Sequence, residues 1–163
     1  MDILKIYQYA LQREEEGKSF FEQNAARMSH AAAVEVFKRL AEEEQRHIDF
    51  VQAQISALGK SQQPDISMGL EMVKSGFFSQ RAGSEMITQK ISEAMVPDLP
   101  VLRMAYLIER DMAEFYEMAA TKSSGEAREV LTMLAGWERV HEGLFKYMHD
   151  QAFENYAQMP WGG

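Results

Sequence analysis

The chain has 163 residues, 17 Lys and Arg against 25 Asp and Glu, a formal charge of −8 and no cysteine. A length of this order, with 46% hydrophobic and 26% charged residues, fits one globular domain with a sizeable core. The missing cysteine excludes disulfide scaffolds, thiolate catalysis and Cys-ligated zinc or iron–sulfur centres, and an acid excess without a run of Lys and Arg argues against a nucleic-acid surface.

The start, MDILKIYQYALQREEEG, lacks the basic opening and unbroken apolar core of a secretion signal. No stretch approaches the roughly 20 apolar residues that span a bilayer, so a cytoplasmic protein without a membrane partner is expected. The four prolines are Pro64, Pro97, Pro100 and Pro160, which leaves two long proline-free stretches for long helices.

The first predicted helix places Ile3, Tyr7, Ala10, Glu14, Gly17, Phe21, Asn24 and Met28 at alternating steps of four and three. That is the buried seam of a bundle helix, interrupted by one glutamate. Asn24 reads either as a buried polar contact or as a helix-end residue. A short link around Ser29 and His30 leads to the second helix. Its seam runs Phe37, Ala41, Glu44, Ile48, Val51, Ile55 and Leu58, with Gly59 as the expected C-cap. His47 lies one turn after Glu44.

The connection from Lys60 to Pro97 contains two weak helical pieces, around Ile66 to Val73 and around Glu85 to Met95. It is long enough to run back along the bundle as a crossover. The third helix opens near Asp98 and Pro100 and carries Leu102, Ala105, Glu109, Met112, Tyr116 and Ala119 on its seam. The fourth follows a capping-box spacing at Ser123 and Glu126 and buries Leu131, Leu134, Glu138, His141, Phe145 and Met148. The tail from Phe153 is too short to fold alone.

The two helical hairpins repeat one another. REEEGKSFF around Glu14 aligns with IERDMAEFY around Glu109, and RLAEEEQRHIDFV aligns Glu44 and His47 with Glu138 and His141, all at an offset of 94 or 95 residues. A duplicated hairpin accounts for this. Each copy supplies a Glu from one helix and Glu-x-x-His from the next, and residues three apart share a helical face. Facing the hairpins gathers four carboxylates and two imidazoles at the bundle centre. Buried without cations, that cluster is destabilised by desolvation and mutual repulsion. Two divalent cations balance its four negative charges. Oxygen and nitrogen donors without thiolate suit iron or manganese, with zinc also compatible.

This pattern resembles the ferritin-like superfamily, and within it the di-iron domain of rubrerythrins. The resemblance implies an all-α, ferritin-like four-helix bundle over residues 1–163: hairpin one about 2–58, crossover about 60–97, hairpin two about 98–153. It implies two iron ions held by Glu14, Glu44, His47, Glu109, Glu138 and His141, with Glu44 and Glu138 bridging and Glu14 and Glu109 terminal. The activity implied is that of a non-haem di-iron oxidoreductase reducing hydrogen peroxide or dioxygen, or oxidising Fe(II), in a homo-oligomer with a dimer favoured. Rubrerythrins proper add a Cys-ligated rubredoxin module, absent here, so turnover needs an external electron donor. They also commonly carry a further glutamate where this chain has Met112. Alternative readings are iron storage, which requires a many-subunit shell; a di-iron substrate oxygenase, which requires an apolar channel; and a helical bundle without catalysis.

Neighbouring residues are expected to play plainer parts. Glu15, Glu16, Glu42 and Glu43 fall off the seams and read as solvated, and His30 and His149 read as surface or helix-end residues. Tyr7, Phe21, Tyr106, Tyr116 and Trp137 lie near the centre as packing aromatics, with a tyrosine hydroxyl beside the ligands as the sharper option. The 12 methionines read as flexible core filling rather than as haem ligands.

Overall fold

The computed structural model describes residues 2–60, 66–75 and 93–160. They are mostly helical, without a strand among them. In chain order they form α1 (Ile3–Ala25), α2 (Ala31–Gly59), α3 (Ser67–Ser75), a 3-10 segment (Glu93–Asp98), α4 (Leu99–Thr121) and α5 (Gly125–Gln158). None of these helices is long and apolar enough to cross a membrane.

α1 and α2 pack along each other as one antiparallel hairpin, and α4 and α5 as the other. The buried positions follow the seams read from the sequence: Tyr7, Ala10, Glu14, Gly17 and Phe21 on α1, and all six expected residues on α4. On α5, Leu131, Leu134, Glu138, His141, Phe145 and Met148 are buried, and on α2 the seam is buried from Phe37 to Val51. Asn24 leaves the seam to Ala25: its amide donates to the Phe20 carbonyl and its own carbonyl accepts from Arg27 N–H, which makes it a helix-end residue.

Two apolar clusters fill the bundle on either side of the acidic seam positions. At one end Phe21, Phe37 and Phe145 meet, with Phe21 and Phe145 stacked at 5.4 Å and Phe37 edge-on to both. At the other end Tyr7, Phe50, Tyr116, Leu131 and Leu134 pack together. Each fully buried side chain of this size contributes roughly 1.5–3 kcal/mol relative to exposure. Met28, Met112 and Met148 are buried core filling, whereas Met104 and Met118 are exposed.

The helix ends differ from the expected caps in three places. Gly59 is the last residue of α2 rather than a left-handed cap, and Lys60 closes the helix with its N–H on the carbonyls of Ser56 and Ala57. The Ser123/Glu126 capping box does not form: the Ser123 hydroxyl donates back to the Ala119 carbonyl, and Ser124 is the N-cap. Gly125 supplies the tight reversal with φ +57°, a left-handed conformation that glycine adopts without steric cost. Arg128 finishes this corner by donating to the carbonyls of Ala120 and Ser123. Third, α5 continues to Gln158, so Phe153 belongs to the helix and its ring stacks on that of His149.

Asp98 is buried and caps no helix with its side chain. Its carboxylate accepts the Ser29 N–H, at 2.9 and 3.1 Å to its two oxygens, and so ties the start of the second hairpin to the turn of the first. Of the connection's two expected helical pieces, the first is α3. A Cβ on Gly69 would lie 2.6 Å from Met133 Cε and 3.1 Å from the Phe50 ring, so glycine permits α3 to approach α2 and α5 this closely. The second piece, around Glu85 to Met95, lies largely outside the described residues; its described end is the 3-10 segment.

Candidate metal centre

Each seam glutamate sits midway along its helix, so the antiparallel hairpins bring all four to one level of the bundle, between the two apolar clusters. Glu14, Glu44, Glu109 and Glu138 are fully buried, and His47 and His141 are 1% and 2% exposed. The six residues predicted as ligands are therefore brought together. They form two overlapping groups, Glu14–Glu44–His47–Glu138 and Glu44–Glu109–Glu138–His141, in each of which one donor atom per residue lies within 4.8 Å of all the others. Glu44 and Glu138 belong to both groups. That is the position a bridging carboxylate requires, with Glu14 and Glu109 to the outside.

Both imidazoles turn Nδ1 toward the carboxylates. His47 Nδ1 lies 3.1 Å from Glu138 Oε1, 3.2 Å from Glu14 Oε2 and 3.6 Å from Glu44 Oε2. His141 Nδ1 lies 3.4 Å from Glu44 Oε1 and 3.5 Å from one oxygen each of Glu109 and Glu138. The two rings stack nearly parallel, 5.4 Å apart at 14°. They form one wall of the centre.

The electrostatics show what these donors lack. Burial, then the charges of Glu138 and Glu44, push the Glu14 carboxyl well above the usual range; burial, then Glu138, do the same to Glu109. Burial also opposes charge on Glu44 and Glu138, but the imidazoles beside them outweigh it and both lie below the usual range. Burial disfavours a charged His47 or His141, yet the surrounding carboxylates hold both well above the ordinary histidine value. The shifts thus run in opposite senses within the cluster, the outer glutamates and the imidazoles favouring their protonated forms and the inner glutamates their ionised ones. Even so, neither carboxylate oxygen of Glu44, Glu109 or Glu138 accepts a hydrogen bond. Beyond the imidazole approaches of 3.1 to 3.6 Å, these buried oxygens lack hydrogen bonds, which is costly unless a cation coordinates them. Carboxylate and imidazole donors fit divalent first-row metal ions, so this cluster could hold a metal ion.

Compared with protein-family models, with curated proteins and with solved structures, the chain matches none. The site therefore stands on its own residues.

Around the centre, Tyr116 donates its hydroxyl hydrogen to Glu14 Oε1, the sharper of the two options for the aromatics. Tyr7 is buried, and burial, then Glu126, push its phenol up to about 12. Trp137 stacks on the His47 ring at 4.9 Å. Phe21 packs within the phenylalanine cluster, and Tyr106 packs edge-on to His149 away from the ligands. His30 caps α2, its Nδ1 accepting from Ala32 N–H, and His149 lies 3.1 Å from Asp150 on the outer side of α5.

Glu15, Glu16 and Glu42 are exposed as expected. Glu43 is not: its side chain is 12% exposed, and it groups with His47 and His141 within 4.8 Å. Seam spacing places it off the core because it counts only α2's own face. Its pairing with α5 is visible in the sequence only through the repeat, where Glu43 aligns with Trp137. Gln54 on α2 is likewise fully buried although it falls off the seam spacing.

Proposed function

We propose that the chain is a ferritin-like di-metal protein with a rubrerythrin-like centre of two iron ions, which reduces hydrogen peroxide or dioxygen with electrons from an external donor. What carries the reading is the pair of buried donor groups sharing Glu44 and Glu138. A duplicated half-site that meets in two shared carboxylates is the arrangement that seats two cations side by side. Iron bound there supplies one electron per metal, two in all, which with two protons matches the conversion of hydrogen peroxide to two waters.

The chain's own residues set the conditions for that chemistry. Glu44 and Glu138 keep four oxygens between the half-sites, and Glu14 and Glu109 close each half from outside. The Tyr116 hydroxyl holds Glu14 Oε1 and keeps a proton beside the centre. The phenylalanine cluster at one end and the Tyr7–Leu131–Leu134 packing at the other exclude bulk water. These 163 residues contain no cysteine to hold a rubredoxin-type iron, so the electrons come from outside this bundle, from a reductase or from Fe(II) itself.

Aerobic loading with Fe(II), followed by metal analysis of the desalted protein, tests the reading. About two irons per chain are expected, with peroxide consumed when a reductant is supplied. Fewer than about one iron or manganese per chain overturns it.

A further inference from the structure

Because the hairpins repeat, each residue near the centre has a counterpart, and the unlike pairs show where the halves do different work. One turn before His141 stands Trp137, whose indole crosses to α2 and lies against the His47 ring, 4.9 Å away and tilted by only 16°. One turn before His47, the matching position is Glu43. One imidazole is thus covered by an indole. At the equivalent place the other half of the site offers a carboxylate.

A Glu43 oxygen and one nitrogen from each of His47 and His141 lie within 4.8 Å of one another. One carboxylate and two imidazoles form a competent donor set for a divalent transition metal. Glu43 differs from the six inner donors in one respect that bears on access. Its side chain is 12% exposed, whereas none of theirs exceeds 2%. On its outer side the Arg46 guanidinium lies 3.5 Å away and is itself 47% exposed. Glu43 therefore reaches the histidines of the centre and the solvent at once. The inner donors have no such contact with water.

We propose that Glu43, His47 and His141 form an outer cation position through which divalent metal ions enter the buried centre. A hydrated cation takes the place of Arg46 as a charge partner of Glu43, sheds part of its water to the imidazoles, and passes inward to the carboxylates of Glu44 and Glu138. The indole of Trp137 closes the corresponding path over His47. Entry is then one-sided although the ligand set is symmetric. This inference rests on the di-metal reading above.

The test is stopped-flow uptake of Co(II) by metal-free protein, followed by the cobalt ligand-field absorption, with final stoichiometry from metal analysis. Glu43→Gln keeps size and helix propensity while removing the charge. It is expected to reach the wild-type two cobalt ions per chain about tenfold more slowly or worse. Arg46→Ala, which removes the competing cation, is expected to load faster than wild type. An unchanged rate in Glu43→Gln overturns the port, and so does a slower rate in Arg46→Ala. A drop in final stoichiometry in Glu43→Gln also overturns it, because Glu43 would then be a resident ligand. A wild-type protein that takes up no cobalt refutes the di-metal reading itself, a result distinct from all of these.

Discussion

The Tyr116 hydroxyl donates to Glu14 across the bundle, from α4 to α1, while the matching position in the first hairpin is held by Phe21, which has no hydroxyl to offer Glu109. The two outer glutamates are therefore unequal. Glu14 is oriented by a buried phenol hydrogen bond in addition to its contact with His47, whereas Glu109 has its contact with His141 and no phenol.

Tyr116→Phe makes the halves alike. Removing a neighbour that orients a metal ligand costs about 10- to 100-fold in metal affinity. We expect calorimetric titration with Mn(II) to show the tighter step weakened by about tenfold in the variant, with the weaker step unchanged. The fold should persist, at a stability cost of about 1–2 kcal/mol for the lost buried hydrogen bond, read from urea melts.

The shared and outer carboxylates should separate in stoichiometry. Glu44 and Glu138 serve both donor groups, while Glu14 and Glu109 serve one each. Glu138→Ala is expected to leave no tightly bound metal. Glu109→Ala should retain about one ion per chain, and metal analysis after equilibrium dialysis distinguishes the two.

Metal should also reverse the pH dependence of stability. Without metal, Glu14, Glu109, His47 and His141 hold their protons more tightly folded than unfolded, because their folded values are raised. The folded state then binds more protons than the unfolded one, so stability falls as pH rises above the ordinary carboxylate and histidine values. On the acid side the sign is opposite. Glu44 and Glu138 have lowered values, and their contribution is lost as pH falls below the usual carboxylate range. Divalent ions bound by these donors would displace the same protons. Thermal melts from pH 6 to 9 should therefore show Tm falling for the metal-free protein and rising for the loaded one, and unbuffered loading should acidify the solution.

Much of this site was legible before any coordinates, because the chain writes it twice. The four-three spacing of α1 set Glu14 on the same buried stripe as Tyr7 and Phe21, and the copy at Glu109 did the same for α4. The period of a single helix determines which face is buried, so the seam residues followed directly. It does not tell which residues meet across helices. Tyr116 reaching Glu14, Trp137 lying on His47 and Glu43 approaching His141 are all relations between helices distant in sequence, and only the repeat hints at them. Turn chemistry was the weakest part. Ser123 and Glu126 have capping-box spacing, but Gly125 between them turns the chain left-handed and sends the serine hydroxyl back to Ala119.

A chain made of two similar hairpins, each with half of the buried donor groups, has a competing arrangement: the first hairpin of one molecule against the same hairpin of another. The Asp98 carboxylate on the Ser29 amide discriminates against that arrangement. It joins unlike hairpins only, since the place of Asp98 in the first copy is taken by Ile3, which has no acceptor. The grip on one backbone N–H thus favours pairing of unlike hairpins over pairing of like ones, and it does so far from the residues that a like pair would otherwise satisfy.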